Sequence, residues 1–468
     1  MTPLLILLWL QALLGAADVL WNHELKEKLP QRPSARREQW LHGVRELLYA
    51  VVFAGIAWLE WRGLWAGVFA AVLLIEVWLT ALDFIEEDRH RLLGPTERVM
   101  HLLLAMGGGA YVALLVPVMS DWAGQPTALQ PVNYGWLSPA LSLAAVGVLA
   151  WGVRDLLARP QAVVSNLDFG PRHQRLLITG GTGFIGTRLV EALLAEGHDL
   201  TLLTRQPLPT AVRFRGAVRA ISDLEQLSSG ERFDAVINLA GAPVLGPRWT
   251  VKRRRELLAS RVGLTEKLGA WLARCETPPP LLINASAIGY YGARDATPLD
   301  EAAGPQAEFM SELCQRWESA AQQAAGPHTR LVIFRLGVVL GEAGALPMMM
   351  LPHRFRVGGT LGDGRQYLSW VGIDDVLGAL ALALRDPTMA GIYNLTAPEP
   401  LPQREFAHEL ARACGGRAWL TLPASVVRLM LGEAATLLID GQRVLPRRLL
   451  AHGYEFVTPT LAACLERR

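Results

Sequence analysis

Five long apolar runs mark the first third of the chain: Leu4–Leu20, Leu47–Leu59, Leu64–Leu82, Leu102–Met119 and Trp136–Trp151. About 17–25 helical residues cross a bilayer, so these lengths predict five membrane helices, the second of them short. Beyond residue 173 the pattern changes to short apolar strands alternating with helical stretches, which predicts an α/β fold with a parallel sheet. The chain therefore reads as a membrane domain over 1–155, a linker over 156–173 and a second, larger part from 174 onward. Leu4–Leu14 followed by Gly15-Ala16-Ala17 resembles a signal peptide. No Lys or Arg precedes it, and the segment is read as a retained helix.

Basic residues set the expected topology. The segment after the first helix carries Lys26, Lys28, Arg32, Arg36, Arg37 and Arg45, and the one after the third carries Arg89, Arg91 and Arg98. The alternate loops hold only Arg62 or, over Ser120–Gly135, no basic residue. Cationic loops stay on the cytoplasmic side, which places the N-terminus outside and the large C-terminal part in the cytoplasm of a bacterial-type inner or plasma membrane. Ten of the fifteen tryptophans precede residue 160, mostly near helix ends, where the ring suits the headgroup layer.

Composition agrees with this division. Across 468 residues, 51% are hydrophobic and 19% charged, which excludes a disordered or fibrous chain. A net charge of +2 gives no electrostatic reason to expect a nucleic-acid partner. Cys275, Cys314, Cys414 and Cys464 are scattered, with no paired spacing, and read as reduced cytosolic thiols.

After the linker, the apolar stretch Arg175–Thr179 runs directly into Gly180-Gly181-Thr182-Gly183-Phe184-Ile185-Gly186 and then a helical stretch to about Glu196. Strand, glycine turn and helix in that order form a dinucleotide site. Glycine allows the tight turn, the approach of a pyrophosphate to the backbone, and close packing of helix on strand. A second strand, Leu200–Thr204, ends at Arg205, where an acidic residue would serve NAD. A guanidinium suits a 2′-phosphate, so NADP(H) is expected in preference to NAD(H). A fourth strand ends in Leu239, Ala240 and Gly241, small enough for backbone to pass beside the cofactor, and Asp223 is placed toward the adenine.

Several motifs in order carry a resemblance: TGGTGFIG, NLAGAPV, RWT at Arg248–Thr250, SAIGYYG at Ser286–Gly292, GDGRQYLSW at Gly362–Trp370 and IDD at Ile373–Asp375. From about Arg175 onward the chain resembles the epimerase-like, atypical short-chain dehydrogenase/reductase family. The resemblance implies a Rossmann-type doubly wound parallel sheet over 174–400, a small C-terminal helical lid over 401–468 similar to a domain of unknown function appended in that family, and a small-molecule, sugar-nucleotide-like substrate.

Extended members of that superfamily use a Ser or Thr after the fifth strand and a Tyr-xxx-Lys on the next helix. Ser286 is the expected hydroxyl here. The tyrosine and lysine positions fall on Met310 and Cys314, neither of which performs that proton transfer. Tyr291 is the first replacement acid, with Tyr290 beside it. Arg365 is the expected clamp for a substrate phosphate or carboxylate, and Tyr367 and Trp370 the expected ring-stacking partners. Asp374 and Asp375 read as caps of a helix beginning near Val376. The glycine-rich stretch Gly337–Gly344 and Met348–Met350 read as an apolar wall on the nicotinamide side, with Phe406–Cys414 and Ser425–Leu431 as a lid.

The membrane half holds its own polar pattern. Glu38, His42 and Glu46 recur every four residues, as do Glu97 and His101, while Glu76, Asp83 and Glu87 repeat at seven and four. Each set lies on one helical face. Buried carboxylates in a bilayer are costly and mark function, so metal binding, ion pairing with the neighbouring arginines and a proton or quinone site all stand open.

The resulting reading is a membrane-tethered NADP(H)-dependent oxidoreductase or epimerase-like enzyme. Two alternatives stand beside it: a non-catalytic NADP(H)-binding redox sensor coupled to the membrane domain, and an electron donor to a metal site within that domain.

Overall fold

The computed structural model describes residues 1–26, 36–90, 95–157, 167–171, 173–246, 248–294 and 296–467. Lys28, Arg32, Arg91 and most of the expected linker lie outside these residues. The chain divides into two compact units, one made of Met1–Ala162 with Val212–Arg215, the other of Val163–Ala211 with Gly216–Arg468.

The N-terminal unit is built of five helices: α1 (Thr2–Asp18), α2 (Arg36–Trp58), α3 (Leu64–His90), α4 (Pro95–Ala123) and α5 (Leu137–Leu157). The wider turns of Val19–Lys26 extend α1 and carry His23. All five are long and apolar enough to cross a membrane. The second is longer than its apolar run because its first turns are polar: Glu38, Gln39 and His42 are buried against other helices rather than facing outward. Leu5, Leu8, Phe53, Ile56, Phe69 and Leu115 form the packed centre, whereas Leu64, Leu74 and Leu143 stand 79%, 71% and 76% exposed. Large aliphatic side chains face outward on each of the five helices. Two short segments, Leu59–Arg62 and Ala128–Pro131, pair antiparallel, a ladder the apolar pattern did not predict.

The C-terminal unit is organised on seven parallel strands: β1 (Arg175–Thr179), β2 (Asp199–Leu203), β3 (Val218–Ile221), β4 (Ala235–Asn238), β5 (Leu281–Ala287), β6 (Arg330–Leu336) and β7 (Gly391–Leu395). Their spatial order is β3-β2-β1-β4-β5-β6-β7, so the connection reverses direction between β1 and β4. Ligands bind at such a switch point in open α/β sheets. The strands read as near-continuous apolar runs because helices cover both faces. Leu176, Leu177, Ile178, Val236, Ile237, Leu282 and Ile283 are fully buried.

One polar ladder crosses this core. Thr179 Oγ1 donates to Asn238 Oδ1 at 2.6 Å, and Asn238 Nδ2 donates to Asn284 Oδ1 at 2.6 Å and Thr265 Oγ1 at 2.9 Å. Each buried amide thus finds partners across β1, β4 and β5, fixing their register.

The C-terminal segment is joined to the sheet-bearing part by strand pairing. Leu420–Leu422 pairs with Gly359–Leu361, Leu401–Pro402 with Tyr367–Leu368, and Arg443–Val444 with Pro298–Leu299. Three ladders tie it to the body, so a cut at residue 400 would leave unpaired edges. Asp375 is also reassigned: it lies inside the helix Ile373–Arg385, fully buried. Its carboxylate accepts from Val457 N at 2.7 Å, Thr458 N at 3.0 Å and Thr458 Oγ1. It anchors the C-terminal chain instead of capping a helix. Burial nonetheless leaves its carboxyl above the usual range, against the lowering effect of those hydrogen bonds.

Candidate functional site

β1 ends at Thr179 and the chain turns at once. Gly180 has φ of +72°, and a Cβ there would lie 2.8 Å from Leu239 O and Ala240 N. At Gly186, in the first turn of helix Phe184–Ala195, a Cβ would lie 2.1 Å from Gly180 O. Both positions therefore require glycine. No side chain caps that helix, so its first amides point out at the switch point, a ready site for an anionic phosphate. Thr182 and Gly183 are exposed at the tip, while Gly181 is buried against Leu202. Leu239 N donates to Thr179 O and Ala240 N to Thr179 Oγ1, both at 3.2 Å. These bonds hold the Leu239–Gly241 backbone beside the turn.

Ile185 is half-buried within the same helix, and Phe184 packs so closely on the loop opposite that a Cβ at Gly341 or Gly344 would lie 2.7 Å from its ring. Arg205 is exposed just beyond β2, without an ion pair among the described residues. Asp223 follows β3 at the sheet's end. It caps the turn Leu224–Gln226, accepting from Glu225 N at 3.0 Å. The glycine cradle, the uncapped helix and the cation after β2 together fit a phosphorylated dinucleotide.

The expected catalytic pair is placed otherwise. Successive side chains of a strand point to opposite faces. At the end of β5, Ser286 is 2% exposed and donates to Glu318 Oε1 at 2.7 Å, whereas Ala287 lines the cleft. Glu318 also receives both arms of Arg335, Nε and Nη2, each at 2.8 Å. Arg335 Nη1 donates to the Tyr291 hydroxyl at 2.9 Å, and that hydroxyl donates to Asn394 Oδ1 at 2.7 Å. Tyr291 is fully buried, and burial pushes its phenol up to about 12 against the opposing pull of Arg335. Ser286 and Tyr291 are thus members of an internal polar chain rather than groups facing a substrate. Tyr290 is committed as well: the Arg335 guanidinium lies 3.4 Å from its ring centroid. The sequence signal for this chain was Arg335 itself, a charge inside the apolar strand Arg330–Leu336.

A cleft of about 1500 Å³ opens beside Ala287. Trp249, Phe309, Met310, Met348, Leu361 and Leu420 are among its mainly apolar walls. Met310 faces it, while Cys314 is buried 1% exposed with its thiol pushed up to about 12 by burial, so it stays protonated. Tyr367 lines the cleft. Trp370 does not: it is fully buried with Leu340, Leu346 and Phe406. Arg365 is exposed in its loop and lies outside the lining, its amide bonded to Asp363 at 3.0 Å. Among polar groups at the walls, Glu308 accepts from Ala293 N at 3.1 Å, Arg254 pairs with Glu433, and burial keeps His353 below its ordinary value and so neutral. Phe406 and Leu410 from the expected lid, and Met348 and Met349 from the expected wall, border the cleft.

Residues 176–396 match the model of the NAD dependent epimerase/dehydratase family, and 422–467 match a Domain of unknown function (DUF1731). The epimerase family protein SDR39U1 of Bos taurus is 40% identical over 298 residues, which cover 62% of this chain and 98% of that protein. The chain belongs to the epimerase family. YfhF of Bacillus subtilis, another epimerase family protein, is 34% identical over 62% of this chain and 97% of its own length. Among solved structures, human SDR39U1 (isoform2) with NADPH superposes with a TM-score of 0.57 and 37% identity, covering 62% of this chain and 98% of that one. A nucleoside-diphosphate sugar epimerase from Corynebacterium glutamicum gives 0.52 and 26%, covering 72% of this chain and 66% of its own. Both matches begin after the five N-terminal helices.

The N-terminal unit gathers the second polar group. His42 Nε2 lies 2.9 Å from Asp83 Oδ2, which also accepts from Arg45. Glu76 accepts from Thr80 at 2.7 Å, and Glu46 packs by Gly152 on α5. Glu38, Glu87 and Glu97 are fully buried, with His23 6% and His42 9% exposed. The expected ion pairs exist in part: Arg45 joins Asp83, and Arg37 approaches Glu86 at 3.7 Å. Arg98 is exposed.

Proposed function

We propose that the chain is an NADP(H)-dependent oxidoreductase of the epimerase family. In this reading its five N-terminal helices hold it in a membrane, with the nucleotide-binding unit on the cytoplasmic side. The glycine turn carries the proposal: two positions where any Cβ would collide with backbone, followed by an uncapped helix start and an exposed arginine where NAD enzymes place an acid. Gly180–Gly186 would hold the pyrophosphate, Leu239–Gly241 would run alongside, and Arg205 would fork the 2′-phosphate. The nucleotide supplies hydride chemistry when bound. The human relative solved with NADPH supports the same cofactor.

The cleft favours a substrate with a large apolar part over a sugar nucleotide. A diphosphate needs cations free to meet it, and two arginines on this side are engaged. Arg254 pairs with Glu433 while lying 4.7 Å from the Phe309 ring centroid, and Arg248 donates to the carbonyls of Leu429 and Met430.

A second reading, nucleotide binding without turnover, is favoured by the row Ala287, Met310 and Cys314. No hydroxyl, phenol or amine stands where this superfamily transfers a proton.

Fluorescence titration of the full-length protein in detergent with NADPH and NADH tests the cofactor assignment. The expected result is tighter NADPH binding, with Arg205→Glu reversing the preference. Failure of both nucleotides to bind overturns the proposal. NADPH oxidation with apolar carbonyl acceptors then separates enzyme from binding module.

A further inference from the structure

The polar cluster of the helical unit has the makings of a metal centre. Glu38 and His42 are four residues apart on α2, and Glu97 and His101 four apart on α4, so each pair shares a helical face. Glu87 comes from α3 and His23 from the extension of α1. His23, Glu87, Glu97 and His101 each bring a ligand atom within 4.8 Å of the others, and so do Glu38, His42 and Glu87. Glu87 belongs to both sets. We propose that these six residues hold two first-row divalent cations of the iron or manganese type, with the Glu87 carboxylate bridging them.

The spacings suit shared ions. Glu87 Oε2 lies 3.5 Å from His101 Nδ1, and Glu97 Oε1 lies 3.6 Å from His23 Nε2. These exceed ordinary hydrogen-bond lengths. Two ligands about 2.1 Å from one ion stand roughly 3.0–3.5 Å apart at tetrahedral or octahedral angles, so small adjustments close the shell.

His101 is oriented as metal-bound histidines are: one ring nitrogen, Nε2, faces Asp18 Oδ2 at 3.3 Å, while the other, Nδ1, is buried and makes no hydrogen bond. Asp83, 1% exposed, supports His42 through Oδ2 and leaves Oδ1 without a hydrogen bond. A separate cavity of about 780 Å³ reaches His23, His42, Asp83 and His101, giving an approach to the ions.

The donor set selects the metal class. Carboxylates with one or two imidazoles per ion, and no thiolate, suit iron, manganese or zinc rather than copper(I). Bridging carboxylates between helices are the arrangement of di-iron and di-manganese bundles. Here the Glu and His on one helix are four residues apart instead of three.

Full-length protein is purified in detergent without chelator or metal-affinity resin, loaded anaerobically with Fe(II), Mn(II) or Zn(II), and its bound metal counted by mass spectrometry. About two ions per chain are expected, with the spin-coupled resonance of a bridged pair in the manganese form. Glu87→Gln and the double variant His42→Ala/His101→Ala should each lose at least half of the metal. Glu76→Gln, outside both ligand sets, should keep it. Wild-type protein that stays monodisperse yet binds less than a tenth of an ion per chain overturns the proposal, whatever the variants do. Metal content unchanged in folded Glu87→Gln overturns it equally and leaves a proton-shared ion-pair network in its place.

Discussion

Ser286 donates its hydroxyl to Glu318 at 2.7 Å, turning away from the cleft that the next residue, Ala287, lines. The serine therefore stabilises a buried carboxylate. Ser286→Ala should leave NADPH affinity within about twofold and lower stability by about 1–2 kcal/mol, the usual effect of leaving one buried acceptor short of a donor. Nucleotide titration and denaturant unfolding measure both. Intact stability with abolished turnover would restore Ser286 to the reaction.

Arg335 and Glu318 form a buried, two-armed ion pair, 2% and 5% exposed at their side chains. Arg335→Met strands the carboxylate and should cost about 3–5 kcal/mol. Adding Glu318→Gln should recover part of that loss. A double variant no better than the single one contradicts the pairing, and unfolding curves of all three proteins decide.

Tyr291 yields a pH dependence. Burial raises its phenol to about 12, so the folded state holds the proton more tightly than the unfolded chain, whose tyrosines titrate near about 10. Its contribution is fully present below pH ~10 and is lost as pH rises through about 12. Wild type and Tyr291→Phe, compared from pH 8 to 12, should differ most at the lower end and converge at the upper. A constant difference across that range rules the assignment out.

Gly186 has no room for a side chain, since a Cβ would meet Gly180 O at 2.1 Å. Gly186→Ala must push helix Phe184–Ala195 off the strand, and NADPH binding should fall by roughly tenfold or more. Gly304→Ala, where a Cβ meets nothing, serves as the control. Equal affinities in the two variants would show that the turn does not hold the nucleotide.

The sequence by itself determined the two-part organisation, the five apolar helices, the parallel sheet and the glycine turn. Each of these rests on local periodicity or on a backbone need that only glycine meets. It also showed the Glu and His spacing on α2 and α4, because helical faces follow from sequence distance alone. What it could not decide were contacts between segments far apart in the chain. Ser286 and Ala287 are neighbours, and only the strand's orientation against Glu318 and Arg335 decides which one meets the cleft. Tyr291, Trp370 and Asp375 looked like surface chemistry in their motifs, yet strands and loops arriving from elsewhere bury all three. The three ladders joining the C-terminal segment to the body, and the convergence of four helices on Glu87, are likewise products of tertiary packing. Hydrogen-bond satisfaction and burial are properties of the assembled chain, and no run of residues carries them alone.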